Sequence, residues 1–327
     1  MTTRETLLAL FEKNKGFYIS GEYIAQNLGV SRTAVWKAVK KLQKEGYDIK
    51  ATTNRGYCLS KNTDILSVEG IREYLKPQYK NIVDIDIFRS VDSTNNVCRL
   101  KAAKSDGKLY AAIACSQSSG RGRRGRTFYS PADTGIYVSF MILPKNTQAD
   151  GIIRLTTMTA VAVCKVIEKL TDKEPQIKWV NDIFVDCKKV CGILSEVSFD
   201  LEDAKLESVI VGIGINLYPP KNGFPDALAN TAGSILDKPG QVSRNRFVAE
   251  LMNYFGDLYQ LEDPYGYVDE YRERSFVVGK DIEVITPKVS THAKVLAIND
   301  DCSLQVRYDD GTEEALSSGE ISIRVSC

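Results

Sequence analysis

Between Gly120 and Pro131 the chain reads Gly-Arg-Gly-Arg-Arg-Gly-Arg-Thr-Phe-Tyr-Ser-Pro, with four arginines and three glycines in one short stretch. Glycine lets a backbone approach a ligand closely or adopt positive φ, and guanidinium groups present fixed donor forks to phosphate or carboxylate oxygens. Such a loop suits a polyanion, either a nucleic-acid backbone or a small phosphorylated molecule. Gly120, Gly122 and Gly125 also satisfy the spacing GxGxxG. That fingerprint must open a helix and be followed by an acid about 20 residues on. Here Ser130-Pro131 and Asp133-Thr134-Gly135 follow instead, so the dinucleotide reading is rejected. No GxxxxGK[ST] phosphate loop occurs elsewhere. The single histidine, His292, lies in a polar stretch far along the chain. Triads and most imidazole acid-base schemes would have to run through it. The chemistry to expect is therefore positioning and charge neutralisation.

The loop follows a buried strand at 108–115 and precedes another at Gly135 to Leu143, inside a large central domain that includes a further strand, Asn81 to Phe88. Thr94 to Lys104 reads as a helix, and a long apolar helix runs from about Asp150 to Leu170. Strand-like segments follow at 176–185, 188–197 and 207–217, then a helix at about Ser243 to Leu261 and a polar helix near 264–274. From Val277 onward the pattern is strand and turn only, which suits a small β-barrel. The chain's 327 residues, 43% hydrophobic, allow two or three domains. No apolar run reaches the roughly 18 residues that span a bilayer, and Met1-Thr-Thr-Arg-Glu lacks a signal peptide's apolar stretch. A cytoplasmic location without membrane contact is expected. The eight cysteines are scattered, as suits reduced thiols, and no histidine stands near the Cys187 and Cys191 pair to complete a zinc site.

Net charge is only +1, yet residues 1–60 carry ten basic and five acidic side chains. A basic module on a neutral body is the electrostatic footprint of DNA binding. Glu5 to Lys13 reads as a first helix; Ser20 caps a second, which Gly29 stops; Ser31 caps a third. Val35, Val39 and Leu42 would face inward there, leaving Arg32, Thr33, Trp36, Lys37 and Lys40 outside. Tyr47 to Thr52 and Tyr57 to Leu59 alternate as short strands about Asn54-Arg55-Gly56, making a wing. The candidate DNA contacts are Ser31, Arg32, Thr33, Trp36, Lys37 and Arg55. Residues 61–68 read as a short connection.

Asp92-Ser-Thr-Asn95, Gln117 with Gly120 to Arg126, Ser130-Pro131 and Lys178-Trp-Val-Asn-Asp182 stand in one order with Lys189-Val-Cys-Gly-Ile-Leu194 and Glu196, Gly212-Ile-Gly-Ile-Asn216, and Gly319-Glu-Ile-Ser-Ile-Arg324. In these motifs the chain resembles the bifunctional biotin protein ligases that also repress the biotin operon, over nearly its whole length. The resemblance implies an α+β multidomain protein. It would comprise a winged helix-turn-helix (1–62), a mixed α/β, class II synthetase-like ligase domain (63–275) and an SH3-like β-barrel (276–327). Such enzymes join biotin and ATP into biotinyl-5′-adenylate, then transfer biotin to one lysine of a biotin carboxyl carrier domain.

Joining two anions requires arginine, lysine and magnesium rather than proton transfer. By resemblance Ser93, Thr94, Asn95, Gln117, Arg121, Gly122, Arg123, Lys189 and Gly192 bind biotin, whose neutral ureido ring requires paired donors and acceptors. Arg124, Arg126, Phe128, Lys178, Asn181, Asn216 and Arg324 serve the adenylate. Lys189, Arg123 and Asp182 are the catalytic candidates, with Asp182 also a candidate to hold the Mg2+ of ATP. Other roles exist for the same residues: Ser93 as a helix cap, Lys189 beside Lys188 in a solvated turn, Asp182 as a turn cap, Gly212 and Gly214 as packing glycines. Operator DNA and a homodimer formed with the adenylate are the further partners implied. Two positions depart from the family: Val180 stands for the usual proline and Phe128 for the frequent tryptophan. The alternatives are a biotin-responsive winged-helix factor without catalysis and a nucleic-acid-binding protein that uses the loop as a basic arm.

Overall fold

The computed structural model describes residues 2–102, 109–142, 151–200, 205–286, 289–317 and 320–322. It divides into two compact units, one of residues 1–80 with 239–250, the other of 81–238 with 251–327.

In the first unit α1 (Thr3–Lys13), α2 (Gly21–Leu28) and α3 (Arg32–Lys44) precede the hairpin β1 (Ile49–Thr52) and β2 (Gly56–Leu59). Each helix start is set by a side chain that satisfies an orphan amide. Thr2 and Glu5 form a reciprocal capping box, Ser20 accepts from the Tyr23 amide, and Ser31 accepts from the Ala34 amide. Gly29 ends α2 in the left-handed region, at φ 65°. Leu7, Leu8, Phe11, Ile24, Val35, Val39 and Leu42 are buried together. Arg32, Thr33, Trp36, Lys37 and Lys40 are exposed on α3. In the hairpin, the Arg55 guanidinium lies 4.4 Å from the centroid of the Tyr18 ring.

Residues 61–68 are more than the short connection expected of them. Asp64 accepts from both the backbone amide and Nε of Arg244, at 2.7 and 2.9 Å, and Asn245 bonds the Ser67 amide and the Ile65 carbonyl. The helix α4 (Val68–Tyr74) follows, also unanticipated. These partners lie 178 to 180 residues away in sequence, beyond the reach of local periodicity.

In the second unit β3 (Val83–Phe88), α5 (Thr94–Ala102), β4 (Leu109–Ala114), β5 (Gly135–Ile142), α6 (Gly151–Leu170), β6 (Gln176–Lys178), β7 (Asp182–Val185), β8 (Lys188–Asp200) and β9 (Lys205–Asn216) follow in order. The expected helix 94–104, strands 108–115 and 135–143, and helix from 150 extend at one end onto residues outside those described. The strands form a seven-stranded sheet in the order β3-β4-β5-β9-β8-β7-β6. Only the β3–β4 pair is parallel among the described ladders of this sheet. Every residue of β5 is buried, as suits a central strand covered on both faces. Thr156, Thr157 and Thr159 on α6 are buried with their hydroxyls satisfied, each donating to the carbonyl four residues back.

The segment 176–185, read as one strand, is two. The chain turns at Trp179-Val180-Asn181 across a cis peptide between Trp179 and Val180, and the Trp179 indole donates to the Cys302 carbonyl at 2.9 Å. A short helix α7 (Asp226–Ala229), then α8 (Arg244–Tyr259) and α9 (Val268–Arg274), complete the helices. The remaining strands are β10 (Asp281–Ile285), β11 (Ser290–Ile298), β12 (Leu304–Tyr308), β13 (Glu313–Leu316) and β14 (Glu320–Ser322). They pair antiparallel in the order β13-β12-β11-β10-β14. No described helix is long and apolar enough to cross a membrane.

Burial penalises the Asp64 carboxylate and raises its pKa, and Arg244 opposes that shift. Removing one partner of a buried pair typically costs about 3–5 kcal/mol. Arg244→Met should therefore lower unfolding free energy by about 3 kcal/mol at pH 7, measured by chemical denaturation. The loss should shrink as pH falls through the raised Asp64 pKa, because the protonated acid no longer needs a counter-charge. Adding Asp64→Leu should recover more than half of it.

Candidate active site

The second unit contains a cavity of about 750 Å3 whose floor is the backbone of β9. Two glycines make that floor accessible. A Cβ at Gly212 would lie 2.1 Å from Asn95 Oδ1, and one at Gly214 would lie 2.5 Å from the Phe128 ring. Gly212 pairs with Ser139 and Leu194, and Gly214 with Tyr137 and Gly192. Both glycines thus serve close packing, and what packs on them is the wall of the cavity.

That wall is a connected polar layer at the start of α5. The Thr94 amide and hydroxyl both donate to Gln117 Oε1, at 2.9 and 3.1 Å, and Gln117 Nε2 donates to Ser130 Oγ. The Ser139 hydroxyl lies 2.6 Å from both Thr94 Oγ1 and Asn95 Oδ1. Asn95 Nδ2 donates to Glu196 Oε2 at 2.7 Å. Ser93 is buried and lines the cavity, and its carbonyl accepts from the Val97 amide in the first turn of α5. The layer offers donors and acceptors whose directions are fixed by one another.

The arginine loop closes on itself as a small hairpin. Gly122 donates to the Arg126 carbonyl at 2.7 Å and Phe128 to the Gly120 carbonyl at 2.9 Å, around a single 3₁₀ turn at Arg123–Gly125. Arg124 sits in the left-handed region, at φ 53°. The side chains diverge. Arg121 pairs with Glu196 at 3.1 Å, Arg123 donates to Asn181 Oδ1 at 3.2 Å, and Arg124 donates to the Ile285 carbonyl at 2.9 Å. Arg126 is exposed at the cavity rim. Phe128 lies over Gly214 and meets Tyr137 edge-on, their centroids 6.5 Å apart.

Opposite the loop, Lys189 Nζ is 2.6 Å from Asp182 Oδ1. Its neighbour Lys188 donates instead to the carbonyls of Ala229 and Asn230, so the two lysines are not an interchangeable solvated pair. Lys178 stands opposite Asp182 in the β6–β7 ladder, Asn181 is tied to Ile193 by two hydrogen bonds, and Asn216 ends β9 opposite Gly135. All of these, with Gly192, line the same cavity. Arg324 lies outside the described residues.

Three contributors have no role assigned from the sequence. Ser139, inside an apolar strand, looked like core. Glu196 ended a motif without a role. The stretch from Leu228 to Ala232 lines the cavity through a strand-like bridge of Ala232 with Lys189, which no local pattern announces. His292 lies on β11, bonded to Asp309, and is not among the lining residues. Six cysteines are free thiols. Burial pushes Cys98 up to about 12 and Cys191 well above the usual thiol range, so neither supplies a thiolate. Cys187 corrects the expectation of reduced thiols throughout: it is disulfide-bonded, and it lies half-exposed in the β7–β8 turn. The candidate DNA contacts lie in the first unit. Arg32, Thr33, Trp36 and Lys37 share the exposed face of α3, Ser31 is its cap, and Arg55 is at the hairpin turn.

Three family models match successive parts of the chain: an HTH domain over residues 3–58, the biotin/lipoate A/B protein ligase family over 87–216, and the biotin protein ligase C terminal domain over 277–324. A biotin protein ligase from Aquifex aeolicus, solved in complex with biotin and ATP, shares the fold. Its TM-score is 0.62 at 22% identity, covering 74% of this chain and 99% of that one. The bifunctional ligase/repressor BirA of Escherichia coli is 27% identical, over 94% of each chain. The corresponding protein of Bacillus subtilis is 31% identical across 97% of this chain and 98% of its own length, and the chain therefore belongs to the family of bifunctional ligase/repressor BirA proteins.

Proposed function

We propose that the chain activates biotin with ATP to biotinyl-5′-adenylate, transfers biotin to one lysine of a carboxyl carrier domain, and represses transcription through its amino-terminal module. The observation that carries this reading is the single cavity in which a polar layer for a neutral head group, an arginine loop and a lysine–carboxylate pair converge. The first step joins a carboxylate to the α-phosphorus of ATP and expels pyrophosphate. In the second, the acceptor amine attacks the acyl carbon and AMP leaves.

Each step requires charge neutralisation at fixed positions, and the residues present supply it. Ser93, Thr94, Asn95 and Gln117 hold the ureido ring. Lys189, a compact charge, meets the biotin carboxylate and the phosphate where the pentacoordinate centre develops. Arg121, Gly122, Arg123 and Gly192 enclose biotin, and Arg124, Arg126, Phe128, Lys178, Asn181, Asn216 and Arg324 serve the nucleotide. The carboxylate of Asp182 fits a cation arriving with the nucleotide and would hold it, and Mg2+ so held supplies further neutralisation of phosphate charge. With Lys189 turned to substrate, Asp182 is also placed to orient the acceptor amine.

The fold reading is a winged helix over 1–62, a class II synthetase-like ligase domain over 63–275 and an SH3-like barrel over 276–327. The all-antiparallel β10–β14 sheet, bulged between Val295 and Ala297, supports the last of these. Operator DNA, a cytoplasmic location and a homodimer assembled with the adenylate complete it. The exposed α3 face and the Arg55 turn are the surfaces for DNA.

Biotin-dependent exchange between ATP and pyrophosphate by the full chain tests the reading, and its absence would sink it. Lys189→Met should lower kcat for exchange by roughly 100- to 1,000-fold, as loss of one transition-state donor does elsewhere, with the circular dichroism spectrum unchanged. Arg123→Gly should leave exchange detectable but release the anhydride early, seen as biotinylation of bystander lysines; full retention of the intermediate would remove the loop's enclosing role. Sedimentation velocity should show a dimer with biotin and ATP and a monomer without them; identical boundaries would count against adenylate-driven assembly.

A further inference from the structure

Glu196 does not line the cavity, yet it touches two residues that do. It lies on β8 opposite Ile210 of β9. One carboxylate oxygen accepts from Asn95 Nδ2 at 2.7 Å, and the other pairs with Arg121 at 3.1 Å and with Arg99 of α5 at 3.3 Å. An ionised carboxylate only accepts hydrogen bonds, so it dictates which end of the Asn95 amide turns toward it. Oδ1 is then turned to the Ser139 hydroxyl, 2.6 Å away, against the bare backbone at Gly212. The same carboxylate ties Arg121, the first arginine of the loop, to the sheet and to α5.

We infer that Glu196 is a positioning residue for the head group: acting through Asn95 and Arg121, it sets the polarity of the layer and anchors the base of the arginine loop. This rests on the biotin-ligase reading. Arg99 assists by holding the carboxylate on its far side. Farther along the loop Arg123 and Arg124 have partners of their own, Asn181 and the Ile285 carbonyl, so the effect of Glu196 falls on biotin binding and not on the nucleotide or the chemical step.

The test measures exchange kinetics of the full chain as a function of biotin and of ATP, together with the denaturation midpoint. Glu196→Ala should raise KM for biotin roughly 10- to 100-fold, the range for losing a charge-assisted hydrogen bond. KM for ATP and kcat should stay within threefold, a split that general loosening of the fold would not produce. Glu196→Gln should recover most of the loss, because its carbonyl still accepts from Asn95. In an Asn95→Ala background, Glu196→Ala should add less than threefold, since the two residues act as one unit. A KM for biotin within twofold of the parent, equal losses in the Ala and Gln variants, or multiplicative losses in the double variant would each overturn the inference. Should Glu196→Ala fail to fold, Glu196→Gln decides: a rise of about fivefold in KM for biotin with kcat unchanged supports the role, and no rise overturns it. A parent chain without exchange activity would instead remove the ligase reading itself.

Discussion

The absence of side chains at Gly212 and Gly214 is the constraint on which the site depends. A central strand ordinarily covers both its faces, and β9 does so along most of its length. At these two positions it leaves backbone bare, so Asn95 and Phe128 rest directly on the sheet. The start of α5 can then descend far enough for Thr94 and Asn95 to reach Ser139 on the neighbouring strand. The end of the arginine loop can close over the same strand through Phe128. A single methyl at either glycine would lift one of these segments off the floor, and the polar layer and the loop would lose their common reference plane.

On that floor, the charged groups are held by one another. Lys189 faces Asp182, Arg121 faces Glu196, Arg123 an amide oxygen, and Lys188 and Arg124 backbone carbonyls. Cations arranged against fixed acceptors are oriented before an anion arrives, which lowers the reorganisation a reaction would otherwise require. Imidazole has no part in this arrangement. The single histidine belongs to β11, and the buried thiols near the core are kept protonated by their surroundings.

Much of this was legible in the sequence because the informative residues act locally. Caps at Ser20 and Ser31, the stop at Gly29 and the apolar spacing of α3 identify the helix-turn-helix without reference to distant partners. The arginine loop declares itself by composition, and the Ser130-Pro131 and Asp133-Thr134-Gly135 that follow it exclude a helix opening. What stayed hidden was non-local. Asp64 and Arg244 meet across 180 residues, the Trp179 indole at the strand break bonds a carbonyl of Cys302, and Leu228 to Ala232 joins the cavity through a bridge to β8. Ser139 was invisible for a different reason: one hydroxyl inside an apolar strand reads as core until its partners are known.

The two tryptophans fall one to each unit, and their surroundings are opposite. Trp36 is 50% exposed on α3, whereas Trp179 is 3% exposed with its indole bonded to a carbonyl. Emission from the first should be red-shifted and open to a soluble quencher such as acrylamide; emission from the second should be blue-shifted and shielded. The chain therefore carries a native pair of optical reporters, one on the exposed face of α3 and one at the turn that leads into the cavity. Events at the two places can be followed separately in the same cuvette, without a label.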